Sequence, residues 1–201
     1  RVIGGLRFYE RAEVRDAVAY LRVISQPNDD LAFERIINTP KRGIGKATME
    51  KLHAHARENN CALYGALEQM LAAKTLSGKA AVTLAGLLGQ FARWRGMMER
   101  TPLAELADLV LEESGYRAMW QQDKAPEAAG RIENLRELVR ALGEFESLAE
   151  FLEHVGLVMD RDRGDMPEAM VSIMSLHAAK GLEFDAVFLT GWEETDVYKL
   201  I

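Results

Sequence analysis

Apolar side chains recur at helical spacing along most of the chain, and this recurrence limits the fold more than any other feature of the sequence. In the first such segment, Val14, Val18 and Leu21 share one face of a helix that ends near Pro27. Because such faces must be buried against one another, the pattern predicts a mainly α, multi-helix fold. Further segments with this spacing lie at 63–73, 77–99, 103–113, 128–145 and 147–159.

A short glycine-containing segment separates two more predicted helices. Asn28–Asp30 offers side-chain oxygens that cap the first helix, and Pro40 ends it because proline disfavours helical geometry in the preceding residue. The second helix begins after Gly45 and ends near Asn59. The sequence therefore predicts an element that resembles a helix-hairpin-helix.

The two ends of the chain differ from its helical middle. Val171–Leu176 and Ala186–Leu189 have the composition of short buried strands, and Arg1–Ile3 is a third candidate strand. Isolated strands would leave exposed edges. We therefore expect the helices to be an insertion into a sheet whose other strands lie outside this sequence.

The composition, with 48% hydrophobic and 28% charged residues, is typical of a globular protein. No apolar run approaches the ~18 residues of a membrane span, and Arg1–Gly5 lacks the apolar core of an export signal. We expect a cytoplasmic protein with no membrane partner. Cys61, the single cysteine, cannot form an internal disulfide, and no metal site is expected.

Positive charge is concentrated in one segment of an otherwise acidic chain. The formal net charge is −6, yet the stretch from Arg35 to Arg57 has six basic residues and one acidic residue. That segment carries +5, which leaves −11 for the rest of the chain. A confined basic patch favours one anionic contact at one place.

The residues Thr39–Thr48 (TPKRGIGKAT) lie within that basic patch and are the first candidate site. Glycine lets the backbone turn tightly and approach a ligand, and free N–H groups at a helix N-terminus attract phosphate. Lys41, Arg42 and Lys46 add positive charge around the turn. The pattern indicates a contact to the nucleic-acid backbone, although an ordinary glycine turn with solvated lysines would have the same composition.

The pattern of a nucleotide-binding P-loop is missing. That loop requires Gly-x4-Gly-Lys-Ser/Thr, but Pro40 stands where the first glycine before Gly45-Lys46 belongs, and Ala47 stands in place of Ser or Thr. The other Gly-Lys pair, Gly78-Lys79, fails in the same two ways. We therefore expect this chain not to hydrolyse ATP unaided.

Polar residues after the strand predicted at 171–176 form the second candidate site. His177, Lys180 and Glu183 follow it, at the place where open α/β sheets hold their ligands. On pattern alone the same residues could simply be solvated in a loop. Their order, His177-Ala-Ala-Lys-Gly-Leu-Glu-Phe184, resembles motif V of the UvrD/PcrA/Rep-type superfamily 1 DNA helicases.

Three more segments are similar to the same family, in the same order along the chain. They are Gly4–Arg11 with Asp16–Arg22, Asn38–Gly45 and Arg131–Leu135. The resemblance implies that residues 1–5 are an edge of the RecA-like α/β subdomain 2A, 6–168 the helical 2B subdomain, and 169–201 a segment of 2A that contains motif V. The remaining subdomains, 1A and 1B, would then be partners of this chain.

The resemblance also implies a function. It makes the chain a fragment of an ATP-dependent DNA helicase that unwinds DNA in the 3′-to-5′ sense, in repair or replication. The parent enzyme would use ATP and Mg²⁺, whereas the fragment, which lacks the Walker A and B motifs, is expected to bind neither and to be inactive alone. DNA, both duplex and at a single-strand/duplex junction, would be its partner.

Residue roles follow by position in the family's motifs. Glu183 would hydrogen-bond the ATP ribose and Gly181 would permit the close turn, while His177 and Lys180 would couple ATP to the single strand. The family continues differently after Glu194, so no role is assigned beyond it. The residues expected at the duplex backbone are Thr39, Lys41, Arg42, Gly43, Ile44, Gly45, Lys46 and Thr48.

A second hypothesis is also compatible with the resemblance. The chain could be a regulatory module that docks repair or transcription proteins through its acidic helical surface and has little DNA affinity of its own. The two hypotheses differ over the basic segment, because only the first predicts that removing its positive charges weakens DNA binding.

Overall fold

In a computed structural model of the protein, the described residues are 6–160, 184 and 186–188. The chain divides into two compact units, Arg1–Gly164 and Asp165–Ile201. The described part of the first unit is helical. Its helices are α1 (Leu6–Glu10), α2 (Ala12–Ser25), α3 (Asp30–Ile36), α4 (Lys46–Glu58), α5 (Leu63–Ala72), α6 (Gly78–Met97), α7 (Leu103–Glu113), α8 (Tyr116–Gln122), α9 (Ala128–Leu142) and α10 (Leu148–Asp160).

Helix α2 is the centre of this unit. It packs against α1, α3, α6, α7, α9 and α10, and nine of its fourteen residues are buried. Its apolar residues, such as Val14 and Ile24, are fully enclosed, while Glu13 and Tyr20 place polar atoms in the same interior. Burial on nearly all sides means that the buried polar groups on α2 need partners within the protein.

Two smaller groups of helices extend from this centre. On one side α4 packs on α5, and α5 contacts both α3 and α6. On the other side α7, α8 and α9 pack together. The loop between α3 and α4 therefore belongs to the first group, whereas Ser114–Gly115, between α7 and α8, belongs to the second.

The predicted helices are confirmed, with ends that move by at most three residues. Asp29 caps α3 by accepting a hydrogen bond from the amide of Ala32 at 3.0 Å, as the sequence predicts. Helices α1 and α8 were not predicted. Helix α8 is only seven residues long and begins after Gly115, whose positive φ of 76° makes the turn from α7.

The predicted strands are not confirmed. Arg1–Ile3 and Val171–Leu176 lie outside the described residues. At 186–188 the chain has no regular secondary structure, and Phe188 is 89% exposed, so the prediction of a buried strand there is wrong for these residues. A strand is stabilised by a neighbouring strand, and the predicted neighbour at 171–176 lies outside the described residues.

None of the helices described for this chain is long and apolar enough to cross a membrane.

An arginine closes the C-terminal end of α2. The Nε and Nη2 groups of Arg95 donate hydrogen bonds to the carbonyls of Ile24 and Val23, at 3.0 and 3.4 Å. The guanidinium also lies over the ring of Tyr64, 5.3 Å from its centroid. Carbonyls at the end of a helix lack intrahelical partners, so this cation satisfies them and favours the helix dipole.

Trp94 and Glu113 join α6 to α7. Trp94 is fully buried, and its indole N–H donates a hydrogen bond of 2.6 Å to Glu113. Arg93 binds the same carboxylate through both Nη atoms. The hydrogen bond from Arg93 is the main cause that holds the pKa of Glu113 below its ordinary value of 4.5.

This pair predicts an acid-sensitive contribution to stability. The folded-state pKa of Glu113 is lowered, so its contribution is fully present above the ordinary carboxyl value and is lost as the pH falls through the lower folded value. We expect Glu113→Gln to reduce the free energy of unfolding by about 1 kcal/mol at pH 7. Urea denaturation at pH 7 and at a series of lower pH values measures this.

The same denaturation series contains its own control. The difference between the wild type and Glu113→Gln should shrink as the pH falls through the lowered folded-state pKa of Glu113, because the wild-type carboxylate becomes protonated there. Glu105→Gln, at an exposed position of α7, should change the free energy of unfolding by less than about 0.5 kcal/mol at pH 7. A constant difference between wild type and Glu113→Gln across the whole pH series would contradict the assignment.

Candidate nucleic-acid interface

The loop that joins α3 to α4, residues 37–45, is the structural counterpart of the predicted basic site; we call it the hairpin. Asn38 holds its two sides together. The Asn38 side-chain oxygen accepts hydrogen bonds from the amides of Arg42 and Ile44, at 2.8 and 3.3 Å, and its Nδ2 donates to the carbonyl of Ile44 at 2.9 Å. One side chain thus replaces the ladder of hydrogen bonds that a β-hairpin would use.

The central Gly-Ile-Gly sequence anchors the hairpin in the core. Ile44 is buried, with 4% of its surface exposed, and it joins the same apolar cluster as Phe33 and Leu52. Gly43 has a φ of 73°, in the left-handed region that favours glycine. Gly45 has extended geometry, with φ −87°, so the turn itself does not require a glycine there.

The guanidinium of Arg42 points into the protein. Its Nη1 donates to the carbonyls of Ile36, Ile37 and Pro40, at 2.8, 3.3 and 3.4 Å. Its Nη2 donates to the hydroxyl of Tyr20 and, at 3.2 Å, to the carbonyl of Ser114. The residue therefore ties the end of α3, the hairpin, α2 and the turn before α8 to one cation.

Tyr20, on α2, forms hydrogen bonds to the hairpin. Its hydroxyl donates a 2.6 Å hydrogen bond to the carbonyl of Thr39 while it accepts the one from Arg42. The ring is fully buried, and burial raises the pKa of the hydroxyl above its usual range, which keeps it protonated as a donor. Pro40, which follows a cis Thr39–Pro40 peptide bond, lies beside Gly115 of the α7–α8 turn.

The outer surface of the hairpin presents an uncapped helix N-terminus. Gly45 is the N-cap of α4 and has no side chain to satisfy the first amides, and the first turn carries no acidic residue. Within the described part of the chain, no acceptor bonds the amides of Lys46 and Ala47. Such orphan N–H groups and the positive end of the helix dipole attract anions.

Two lysines flank this helix end. Lys41 and Lys46 are both exposed, and the side chain of Lys46 is 91% accessible. Its ammonium lies 3.7 Å from the carboxylate of Glu50, one turn further along α4. An exposed pair of this kind contributes little to stability and exchanges readily for another anion.

The structure sorts the predicted duplex-contacting residues into two groups. Lys41, Gly43, Gly45 and Lys46 are exposed, and Thr48 is half-buried on the first turn of α4. The side chains of Arg42 and Ile44 are engaged within the protein, and the half-buried Thr39 offers its carbonyl to Tyr20. The motif V residues His177, Lys180, Gly181 and Glu183 lie outside the described residues.

The supporting roles of Asn38, Tyr20 and Ser114 were not predicted from the sequence, although Asn38 and Tyr20 lie in segments that resemble the family. Tyr20 and Ser114 are far from the hairpin in sequence, so no local pattern signals their contact with Arg42. Asn38 directly precedes Thr39-Pro40, and an asparagine beside a glycine turn is a known source of side-chain to backbone hydrogen bonds. Of the three residues, only Asn38 has a local sequence pattern that indicates its role.

The two neighbouring histidines of α4 do not form a metal pair. His53 contacts Glu34 on α3, and His55 contacts Gln69 on α5, each at 3.0 Å. Over the residues that the structure describes, no group of His, Cys, Asp or Glu has the arrangement of a metal site.

The sequence profile of the UvrD-like helicase C-terminal domain matches residues 1–197. The chain belongs to this family. The match includes the hairpin and the residues that resemble motif V.

Named relatives agree with this membership. The chain is 45% identical over 195 residues to a probable DNA helicase II homolog of Rickettsia felis, 39% identical over 203 residues to DNA helicase II of Escherichia coli, and 39% identical over 219 residues to ATP-dependent DNA helicase UvrD1 of Mycobacterium tuberculosis. Each match covers 96% of this chain. The chain spans 28–30% of the length of these relatives.

The two hairpin glycines offer a matched test of the local geometry. A Cβ at either position would meet no atom within 4 Å, so any cost of alanine comes from the backbone alone. We expect Gly43→Ala to lower the free energy of unfolding by about 1–2 kcal/mol, because an L-residue disfavours the left-handed region. Gly45→Ala, in extended geometry, should cost less, about 0.5 kcal/mol, because alanine is only a poorer N-cap residue than glycine there. Urea denaturation of both variants makes the comparison, and equal costs would contradict it.

Proposed function

We propose that this chain is part of an ATP-dependent DNA helicase and that the outer surface of the hairpin binds the phosphate backbone of duplex DNA. The single observation that carries this proposal is the uncapped N-terminus of α4, flanked by the exposed Lys41 and Lys46. Amides and lysines at this place supply hydrogen bonds and charge to phosphate without reading the bases. Membership of the UvrD-like family and relatives named DNA helicases support the same conclusion.

The residues available for this contact are those that face outward. They comprise the exposed lysines, Lys41 and Lys46, the amides that follow Gly45, and Thr48 on the first turn of α4. Gly45 leaves open space at the helix end, so a phosphate can approach the backbone. Helices α3 and α4 with the hairpin between them would act as a helix-hairpin-helix-like grip in a 2B subdomain over 6–168.

The remaining parts of the proposal concern the parent enzyme. There we propose that Glu183 and Gly181 contact ATP, that His177 and Lys180 couple ATP to the single strand, and that unwinding proceeds in the 3′-to-5′ sense. Subdomains 1A, 1B and 2A would complete the motor, with residues 1–5 and 169–201 as parts of 2A. Hydrolysis of ATP with Mg²⁺ would supply the energy for unwinding, and this chain alone would remain inactive.

Fluorescence anisotropy with a labelled duplex that carries a 3′ single-stranded tail tests DNA binding. We expect Lys46→Ala and Lys41→Ala each to weaken binding of unrelated DNA sequences to the same extent. Each should also reduce the slope of log affinity against log salt by about 0.9, the value for one phosphate contact on duplex DNA. The titrations run between about 50 and 200 mM salt, where phosphate contacts show their effect.

Lys79→Ala is the matched control for these variants. Lys79 is an exposed lysine near the start of α6, so its removal changes the net charge equally without touching the hairpin. We expect it to leave the salt slope unchanged. If Lys79→Ala weakened binding as much as Lys46→Ala, binding would depend on overall charge and not on the hairpin. An absence of DNA binding by the wild type would favour the regulatory hypothesis.

The Lys46–Glu50 pair predicts a gain of affinity. Glu50 forms an ion pair with Lys46 in the free protein and adds a negative charge near the proposed phosphate site. Replacing Glu50 by Gln removes both effects, so we expect affinity for the tailed duplex to rise about two- to threefold at low salt. Glu58→Gln makes the same charge change at the far end of α4, about 12 Å along the helix axis from Glu50, and should have a smaller effect because the charge lies farther from the proposed phosphate site.

A further inference from the structure

Arg42 is the basic residue of the hairpin whose charged group makes its hydrogen bonds inside the protein. Four carbonyls and a tyrosine hydroxyl surround its two terminal nitrogens, as described above. A guanidinium that binds a phosphate presents its paired N–H groups to the ligand in a fork. Here the N–H groups of both terminal nitrogens point at internal acceptors.

The four carbonyls around Arg42 belong to three separate parts of the fold. Ile36 and Ile37 close α3, Pro40 lies within the hairpin, and Ser114 lies between α7 and α8. Carbonyls at a helix end lack intrahelical partners, so the cation both satisfies them and interacts favourably with the end of α3. One side chain therefore fixes where the hairpin leaves α3 and how close it lies to the α7–α8 turn.

Tyr20 connects this cation to the buried centre of the first unit. Its ring packs against the rings of Phe91 and Tyr116, with centroids 6.1 Å away in both cases. Its hydroxyl bonds both Arg42 and the Thr39 carbonyl, on the two sides of Pro40. Movement of the hairpin relative to α2 would break two hydrogen bonds to a group that has no access to water.

We propose that Arg42 and Tyr20 are positioning residues that hold the hairpin in its DNA-binding shape, and that Arg42 is not itself a phosphate ligand. The inference rests on the proposed DNA contact of the hairpin. It changes the expected outcome of mutagenesis, because the loss of an arginine in a basic loop is ordinarily interpreted as the loss of a charge contact. Here the charge contacts come from Lys41 and Lys46, and Arg42 sets where those lysines and the α4 amides lie.

Tyr20→Phe tests the proposal because it deletes one hydroxyl and changes no charge. The matched control is Tyr64→Phe, which deletes a hydroxyl from another buried tyrosine that also contacts Phe91. Tyr64 has no hydrogen bond to the hairpin among the described residues. Thermal melts of the full 201-residue chain establish that both variants are folded at the assay temperature.

The first readout is hydrogen exchange without DNA. The amides of Arg42 and Ile44 bond the side chain of Asn38, so their exchange reports the closed hairpin. We expect Tyr20→Phe to accelerate both at least about fivefold, because the deleted hydroxyl makes two hydrogen bonds and the loss of one ordinary hydrogen bond already corresponds to about that factor, while amides in the middle of α6 keep their rates. Tyr64→Phe should leave the hairpin amides unchanged.

The second readout is DNA affinity and its salt dependence. We expect Tyr20→Phe to weaken binding of the tailed duplex about fivefold with the salt slope unchanged, because no phosphate contact is removed. Arg42→Lys also keeps its charge and should weaken binding at least as much, because a lysine ammonium cannot bridge the same set of acceptors. Lys46→Ala should instead lower both the affinity and the slope.

Two results would overturn the proposal. One is unchanged exchange of the Arg42 and Ile44 amides in Tyr20→Phe. The other is wild-type affinity in Arg42→Lys together with a slope reduced by about 0.9 in Arg42→Ala, which would make Arg42 a direct phosphate ligand. Failure of the DNA contact itself has a different signature: accelerated hairpin exchange in Tyr20→Phe, but no effect of Lys41→Ala or Lys46→Ala on binding. In that case both the proposed function and the inference that Arg42 and Tyr20 position a DNA-binding surface are wrong.

Discussion

The burial of α2 is the constraint on which the rest of the structure depends. A helix enclosed on nearly all sides loses water from its polar side chains, and each unsatisfied group would cost about 1–3 kcal/mol. Glu13, Asp16 and Tyr20 form a stripe at i, i+3 and i+7 along α2, and each has a partner on another element. Asn134 donates to Glu13, Arg35 and Tyr116 donate to Asp16, and Arg42 donates to Tyr20.

These partners connect the centre of the fold to the candidate site. Hydrogen bonds from the stripe reach α9, α8, α3 and the hairpin, so the elements around α2 are oriented by polar contacts as well as by apolar packing. The hairpin thus inherits its position from a rigid helix. For the proposed phosphate contact this matters, because a fixed shape of the hairpin would lower the ordering cost of binding.

The inward-facing arginine and the outward-facing lysines of this short segment therefore have different roles. Arg42 satisfies carbonyls and a buried hydroxyl, whereas Lys41 and Lys46 keep their ammonium groups in water. Arginine suits the first task because its planar group reaches several acceptors at once, and lysine suits the second because it is a mobile point charge. The net charge of +5 between Arg35 and Arg57 does not distinguish these two roles, and Arg35 also forms an ion pair with Asp16 inside the protein.

Local chemistry in the sequence determined most of the secondary structure and the place of the candidate site. Helical spacing located α5, α6, α7, α9 and α10, the Asp29 cap and Pro40 bounded α3, and the glycines with their lysines marked the hairpin. These features depend on residues a few positions apart. Tertiary structure decided what Arg42 does, because Tyr20 and Ser114 lie 22 and 72 residues away and no local pattern brings them together. The strand predicted at 186–189 likewise depends on a partner that local sequence cannot supply, and residues 186–188 have no regular secondary structure.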